Sequence, residues 1–189
     1  EKVQEIIHAF PDQFRLAWKR MMFHKIGIRN EAEGDAALLE DLLNWMEQHG
    51  ADYTNTFRLL THAVGTEAGA YPDPATNPFY LWAPGYAPQE SSVREQLHHW
   101  LQRWQQRLQQ EDNMEEVHRL MQQNNPAFIP RNQLVEAALE QAAFRNNFGL
   151  FDELLRILAR PYAEQSGKDG FQMPPQPQME QQYQTFCNT

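Results

Sequence analysis

Seven histidines, one cysteine and 25 acidic side chains in 189 residues are enough titratable groups for several chemistries, so their spacing decides among them. His98 and His99 are adjacent, and at about 100° per residue on a helix they point apart instead of converging on one ion. No HExxH or CxxC pattern occurs, so no familiar zinc arrangement is written into the chain and no metal ligands are expected. Gly167 and Lys168 look like the end of a phosphate-cradling loop. The first glycine of that pattern would fall at Tyr162, however, no strand precedes it, and no Ser or Thr follows the lysine. Asp112 with Glu115, and Asp152 with Glu153, are paired carboxylates at helix starts, where they complement the amide dipoles, and capping accounts for them. Kinase-type transfer needs a lysine on a strand, an acidic magnesium ligand and a mobile phosphate-covering loop; none is recognisable. The expected catalytic residues, cofactor-binding residues and cofactors of this stretch of chain are therefore none. Cys187 remains, the only thiol, at the end of a Pro- and Gln-rich run with only Phe186 beside it. A structural cysteine sits on a buried apolar face, so Cys187 reads as an incidental exposed thiol or a reactive one.

The elements that would carry these residues are helical. Phe14, Ala17, Trp18, Met21, Met22 and Lys25 recur at helical spacing behind a short lead-in helix from Val3 to Phe10, with Pro11 opening the second helix. Gly27 ends it. Asp35 is the expected N-cap of a helix with Leu38, Leu39, Leu42, Leu43 and Met46 on one face, and Asp52 of another bearing Tyr53, Phe57, Leu60 and Val64. From 65 to 90 five prolines and several aromatic rings replace the periodicity, which predicts an ordered loop pinned by rings, with a ligand-stacking surface as the functional alternative. Ser92 with Glu95 makes a capping box before Val93, Leu97, Trp100, Leu101, Trp104 and Leu108; both tryptophans coincide with the leucines and belong to the core. Asp112 with Glu115 repeats the device before Met114, Val117 and Met121, and these two helices are expected to form a hairpin. Val135, Ala138, Leu139 and Ala142 mark one further helix, and Leu150, Leu154, Ile157 and Leu158 another.

These patterns predict an all-α fold of about seven helices in irregular hairpins, with a helical domain over 1–160 that includes the loop 65–90, and a Pro/Gln-rich extended tail over 161–189. The net charge of −9 and the lack of a long basic cluster disfavour nucleic acid as a partner. No apolar run approaches the ~20 residues a bilayer requires, so no membrane is expected. One cysteine fits a reducing compartment, and the expected location is cytoplasmic. A first residue that is glutamate within an already amphipathic helix suggests a piece of a longer protein.

The most specific stretch is NPAFIPRN, from Asn125 to Asn132. Pro126 and Pro130 fix their own φ and push Asn125 and Ile129 toward extended geometry, so the chain leaves one helix here and enters another. Phe128 and Ile129 are expected to plug a core, Arg131 to hold acceptors at the turn or pair with Glu136, and Asn132 to cap the next helix. NPAFIPRN followed by LVEAALEQAA and LLRILARPY, with KIGI at Lys25 to Ile28, GADYTNTFRLL at Gly50 to Leu60 and the terminal FCNT, resembles the C-terminal region of the selenoprotein O family (UPF0061-type), kinase-fold proteins that transfer AMP to other proteins. Where members have a terminal Cys-Gly-Thr, this chain has Cys187, Asn188 and Thr189; where they have a Gly-Asp pair and a Ser-Pro helix start, it has Asn146, Asn147, Gly149 and Leu150.

The resemblance implies that the chain is a structural and regulatory helical region of a protein adenylyltransferase, a nucleotidyltransferase of pseudokinase type. Its partners would be the kinase-like N-terminal core of the same polypeptide and the protein substrates, and the core would hold ATP and Mg2+. Cys187 would be a redox element able to bridge to a cysteine of that core. The alternative is a free-standing, non-catalytic helical interaction module.

Overall fold

The computed structural model describes residues 2–64 and 91–176. Among them the chain forms seven α-helices, a single 3-10 turn at Asp169–Phe171 and no strand. The expected aromatic loop at 65–90 and Cys187 lie outside the described residues.

The first departure from the sequence reading comes at once. In place of a lead-in helix and a second one, α1 runs unbroken over Lys2–Lys25 with Pro11 inside it. An interior proline removes one helical hydrogen bond. Residues 7–18 are all exposed, so water can meet the freed carbonyl of Ile7. Only Met22 and Lys25 of the expected apolar stripe are buried, with Phe23 beside them, whereas Phe14, Trp18 and Met21 are 56%, 43% and 40% exposed. Gly27, at φ +79°, stops the helix.

Helix α2 spans Asp35–His49, and α4, Ser91–Leu108, lies against it. Gly34, not Asp35, is the N-cap residue. Asp35 is instead the first helical residue, and its carboxylate accepts the Ala32 amide at 2.8 Å and the Arg107 guanidinium at 2.7 Å. Leu38, Leu39, Leu42, Trp45 and Met46 of α2 are buried together with Val93, Leu97, Trp100, Leu101, Trp104 and Leu108 of α4. Burying each such side chain is worth about 1.5–3 kcal/mol. Trp100 and Trp104 are core residues, as their spacing requires: their rings stack at 5.9 Å, and their indole N–H groups donate to Leu38 O and Ile26 O at 2.8 and 2.7 Å.

Helix α3 (Tyr53–Ala63) starts at Asp52, whose Oδ1 accepts the Asn55 amide at 2.8 Å. Helix α5 (Met114–Asn124) is capped by Asn113 and not by Asp112: Asn113 Oδ1 accepts the amides of Glu115 and Glu116. The expected α4–α5 hairpin gives way to another pairing, because α5 packs on α1 and α3. These five helices share one core. Helices α6 (Asn132–Arg145) and α7 (Gly149–Leu158) pack on each other, joined through Asn146 in the left-handed conformation at φ 49°. A second, smaller core forms from Ala127, Phe128 and Ile157, with Leu158 and Phe171 against it.

Candidate functional site

The two cores meet at the proline-flanked turn. Pro126 requires an extended residue before it, and Asn125 has φ −117° and ψ 97° while its amide closes the last bond of α5 to Met121 O at 2.8 Å. Asn125 is wholly buried. Its Nδ2 donates to Lys25 O at 2.8 Å and to Thr61 Oγ1 at 2.9 Å. Its Oδ1 accepts from Lys25 Nζ at 3.4 Å, and its carbonyl accepts from Arg58 Nη1 at 3.4 Å. One asparagine thus ties together α1, α3 and α5.

Lys25 donates as well to Asn124 O at 2.8 Å and stands over the rings of Phe57 and Tyr53 at 5.2 and 5.7 Å. Burial lowers its pKa, while carbonyls and ring faces stabilise the cation. Arg58 is 1% exposed and pairs with Glu164; burial lowers its pKa to about 10. His62 Nε2 lies 3.1 Å from the same Glu164 oxygen. Burial first, then Arg58 and His118, push the His62 ring down to about 4. Glu164 would favour the protonated ring, but its charge is already committed to Arg58, so the lowered direction holds.

On the other side of the turn Arg131, 6% exposed, spans three elements. It grips Asp52 through two hydrogen bonds of 2.5 and 3.0 Å, and it reaches Asn55 Oδ1 at 3.4 Å and Gln172 O at 2.9 Å. Its partner is Asp52, the cap of α3, and not Glu136, which is exposed. Asn132 is not the cap either. It is exposed and is the first residue of α6, and Arg131 before it offers its carbonyl, not its side chain, to the first turn. Phe128 is buried, Pro126 and Ile129 are half-buried, and Pro130 is exposed.

Residues 161–176, assigned on sequence to the tail, close the arrangement. Pro161 O accepts the amides of Ala127 and Phe128 at 2.8 and 3.0 Å. Asn55 Nδ2 donates to Gln172 O at 3.1 Å, and Gln133 Nε2 to Met173 O at 3.3 Å. Lys168 pairs with Glu153 of α7, which also pairs with Arg156. Both Gly167–Lys168 and Glu153 are thereby accounted for without nucleotide.

Chemically this is a clamp. Its cations end on carbonyls, rings and carboxylates, and Arg58 Nε and Arg131 Nε are buried without a hydrogen-bond partner. Among the described residues no group of three or more His, Cys, Asp or Glu is placed to hold a metal, and no helix is long and apolar enough to cross a membrane. Among the described residues are two shallow hollows. One of about 220 Å³ has Leu16, Phe23 and Ile28 in its wall with Lys19, Arg20 and Arg29 around them; the other, about 580 Å³, runs between α2 and α4 over Trp45 and Trp100.

Sequence reasoning found the turn and missed what it binds: Lys25 as a buried cation, and Asp52, Asn55, Arg58, Thr61, Glu164 and Gln172. One signal was available, the polar run TNTFR inside the apolar face of α3.

A family described as protein adenylyltransferase SelO matches residues 1–159. Among curated relatives, a protein nucleotidyltransferase YdiU of Bradyrhizobium diazoefficiens is 37% identical over 194 residues, which covers 100% of this chain and 35% of the relative. The Rhizobium etli protein of the same name is 38% identical over 189 residues with the same two coverages. That of Bacillus thuringiensis is 34% identical over 187 residues, 98% of this chain and 34% of the relative. The chain spans about a third of the length of the curated relatives it matches.

Proposed function

The chain belongs to the protein adenylyltransferase SelO family, and from that premise we propose that it serves as the C-terminal helical region of a longer enzyme that transfers AMP from ATP to protein hydroxyl groups. The observation that carries this reading is that similarity runs along the whole chain yet occupies only about a third of each relative. The described residues do not fit ATP or magnesium: Gly167 and Lys168 serve the α7 contact, and the buried cations are committed to the fold. On this reading nucleotide and metal are held by a kinase-like core elsewhere in the polypeptide. This region holds its own helices rigid through the Asn125–Arg131 clamp and supports that core. Cys187 is its redox element, able to form a reducible bridge to a cysteine of the core, in a cytoplasmic setting.

The test is a chimera in which this chain replaces the matching third of the Bradyrhizobium relative. The chimera, given labelled ATP and magnesium, labels protein, whereas the 189-residue chain alone neither labels protein nor binds ATP in calorimetry. Saturable micromolar binding by the chain alone, or an inert chimera, overturns the reading. Mass spectrometry of the oxidised chimera, digested without reductant, addresses the thiol: Cys187 found only free excludes the bridge.

A further inference from the structure

Among the described residues, helix α1 carries an apolar face that neither the fold nor the clamp uses. Val3, Ile7, Phe10, Phe14, Trp18 and Met21 are spaced by four, three, four, four and three residues, which at 100° per residue confines them to one face about 80° wide. They are 69%, 63%, 63%, 56%, 43% and 40% exposed. Six large apolar side chains exposed along one helix face make the kind of contiguous patch that marks an interaction site. The helix enters the core only from Met22 onward. Residues 7–18 before it are all exposed, and a helix of that length, interrupted by Pro11, is marginal in water on its own. Such a stripe is built to be covered.

Two observations say by what. The curated relatives carry about two-thirds of their length outside the region this chain matches. From Gln13 to Asn30 the chain has five cations, Arg15, Lys19, Arg20, Lys25 and Arg29, and no acidic residue, although its net charge is −9 and Asp12 and Glu31 flank the run. Lys25 is buried, Arg15, Lys19 and Arg29 pair with Asp12, Glu31 and Glu116, and Arg20 stands exposed near the end of the stripe. A two-stranded coil with a second copy fits poorly, because Phe10 and Phe14 occupy seam positions where Ile, Val and Leu pack.

Resting on the reading above, we propose that residues 3–21 of α1 form the docking surface for the rest of the longer polypeptide, which presents an apolar groove rimmed by carboxylates. Docking seats Phe10, Phe14 and Trp18 in the groove and places Arg20 against its acidic rim.

Amide hydrogen exchange of the 7–21 segment tests this in the 189-residue chain and in the chimera. Exchange is expected to be about 100-fold slower or more in the chimera, with fast exchange in the isolated chain at every concentration. Equal rates in both overturn the proposal. So does protection in the isolated chain that grows with its concentration, which assigns the face to a second copy, or protection by phosphatidylglycerol–phosphatidylcholine vesicles alone, which assigns it to a membrane. Phe14→Asp sharpens the comparison: it leaves the melting temperature of the isolated chain unchanged and removes the protection in the chimera. A protected but inert chimera sinks the adenylyltransferase reading and leaves docking intact, while a labelling chimera with unprotected α1 sinks docking alone.

Discussion

Arg131 and Asp52 face each other with 6% and 12% of their side chains exposed, so neither charge has much recourse to water. Deleting the guanidinium strands the carboxylate and removes one of the two donors to Gln172 O. Arg131→Ala should therefore cost about 3 kcal/mol, near the range for breaking a buried pair, and Arg131→Lys should not restore it, because a point charge cannot make the forked contact. Urea denaturation measures both, and a loss below about 1 kcal/mol for the alanine variant contradicts the clamp. His62 gives the second prediction. Its folded pKa, about 4, lies below the ordinary value of 6.5, so below 6.5 the unfolded chain binds a proton that the folded chain refuses. The stability His62 contributes is complete above pH 6.5 and is lost as pH falls toward 4. With the side chain 32% exposed, the loss between pH 7 and pH 4.5 should be about 1–2 kcal/mol after allowance for solvent screening. His62→Gln should show a correspondingly smaller drop, and the same drop as the parent chain would refute the assignment. Neither pair was legible in the sequence. Prolines announce a turn by their own stereochemistry, but nothing in the residues around Arg131 indicates that its acceptor lies on α3, since only the packed fold brings them together.

Elements were more legible than contacts, and their errors share a cause. Every apolar position expected on α4 is buried, because Leu97, Trp100, Leu101, Trp104 and Leu108 leave that helix a single arrangement. Caps slipped by one residue at three helices: Gly34 for Asp35, Asn113 for Asp112, Arg131 for Asn132. A left-handed glycine can end one helix or begin another without any side-chain acceptor, and the sequence does not distinguish these uses. Phe14 and Trp18 fall on an apolar stripe in the sequence yet are exposed in the fold, because periodicity reports that a face is apolar and is silent on what covers it. Gly27 shows how an element boundary becomes packing. A Cβ there would stand 2.7 Å from Val117 Cγ1 and 3.0 Å from Met121 Sδ, at φ +79°, whereas one at Gly50, φ +60°, meets nothing within 4 Å. Both substitutions incur about 1 kcal/mol of left-handed strain, and Gly27→Ala adds about 1–3 kcal/mol of overpacking against α5. Gly27→Ala should thus destabilise clearly more than Gly50→Ala in chemical denaturation; equal losses would mean that α5 can move aside freely.

At the scale of the whole molecule the question is where the folded unit ends. The chain loses its periodicity after α7, which suggests a helical body over 1–160 and a tail from 161. Yet 161–176 supply acceptors that 1–160 cannot replace: Pro161 O for two amides of the turn, Glu164 for the guanidinium of Arg58, and Gln172 O for Asn55 and Arg131. Phe171 adds apolar contact to the second core. A chain cut after Arg160 leaves Arg58 as a buried cation without its carboxylate and several buried polar groups unmatched. At about 1–3 kcal/mol for each neutral group and about 3–5 kcal/mol for the stranded charge, the loss rivals the about 5–15 kcal/mol that keeps a domain folded. A chain cut after Gln176 keeps every described contact. The expected outcome is that the longer truncation unfolds cooperatively in urea with nearly the midpoint of the 189-residue chain, while the shorter one is largely unfolded at 25 °C by circular dichroism. Two truncations of equal stability would show that the helical body is self-sufficient at residue 160 and that the 161–176 contacts only decorate it.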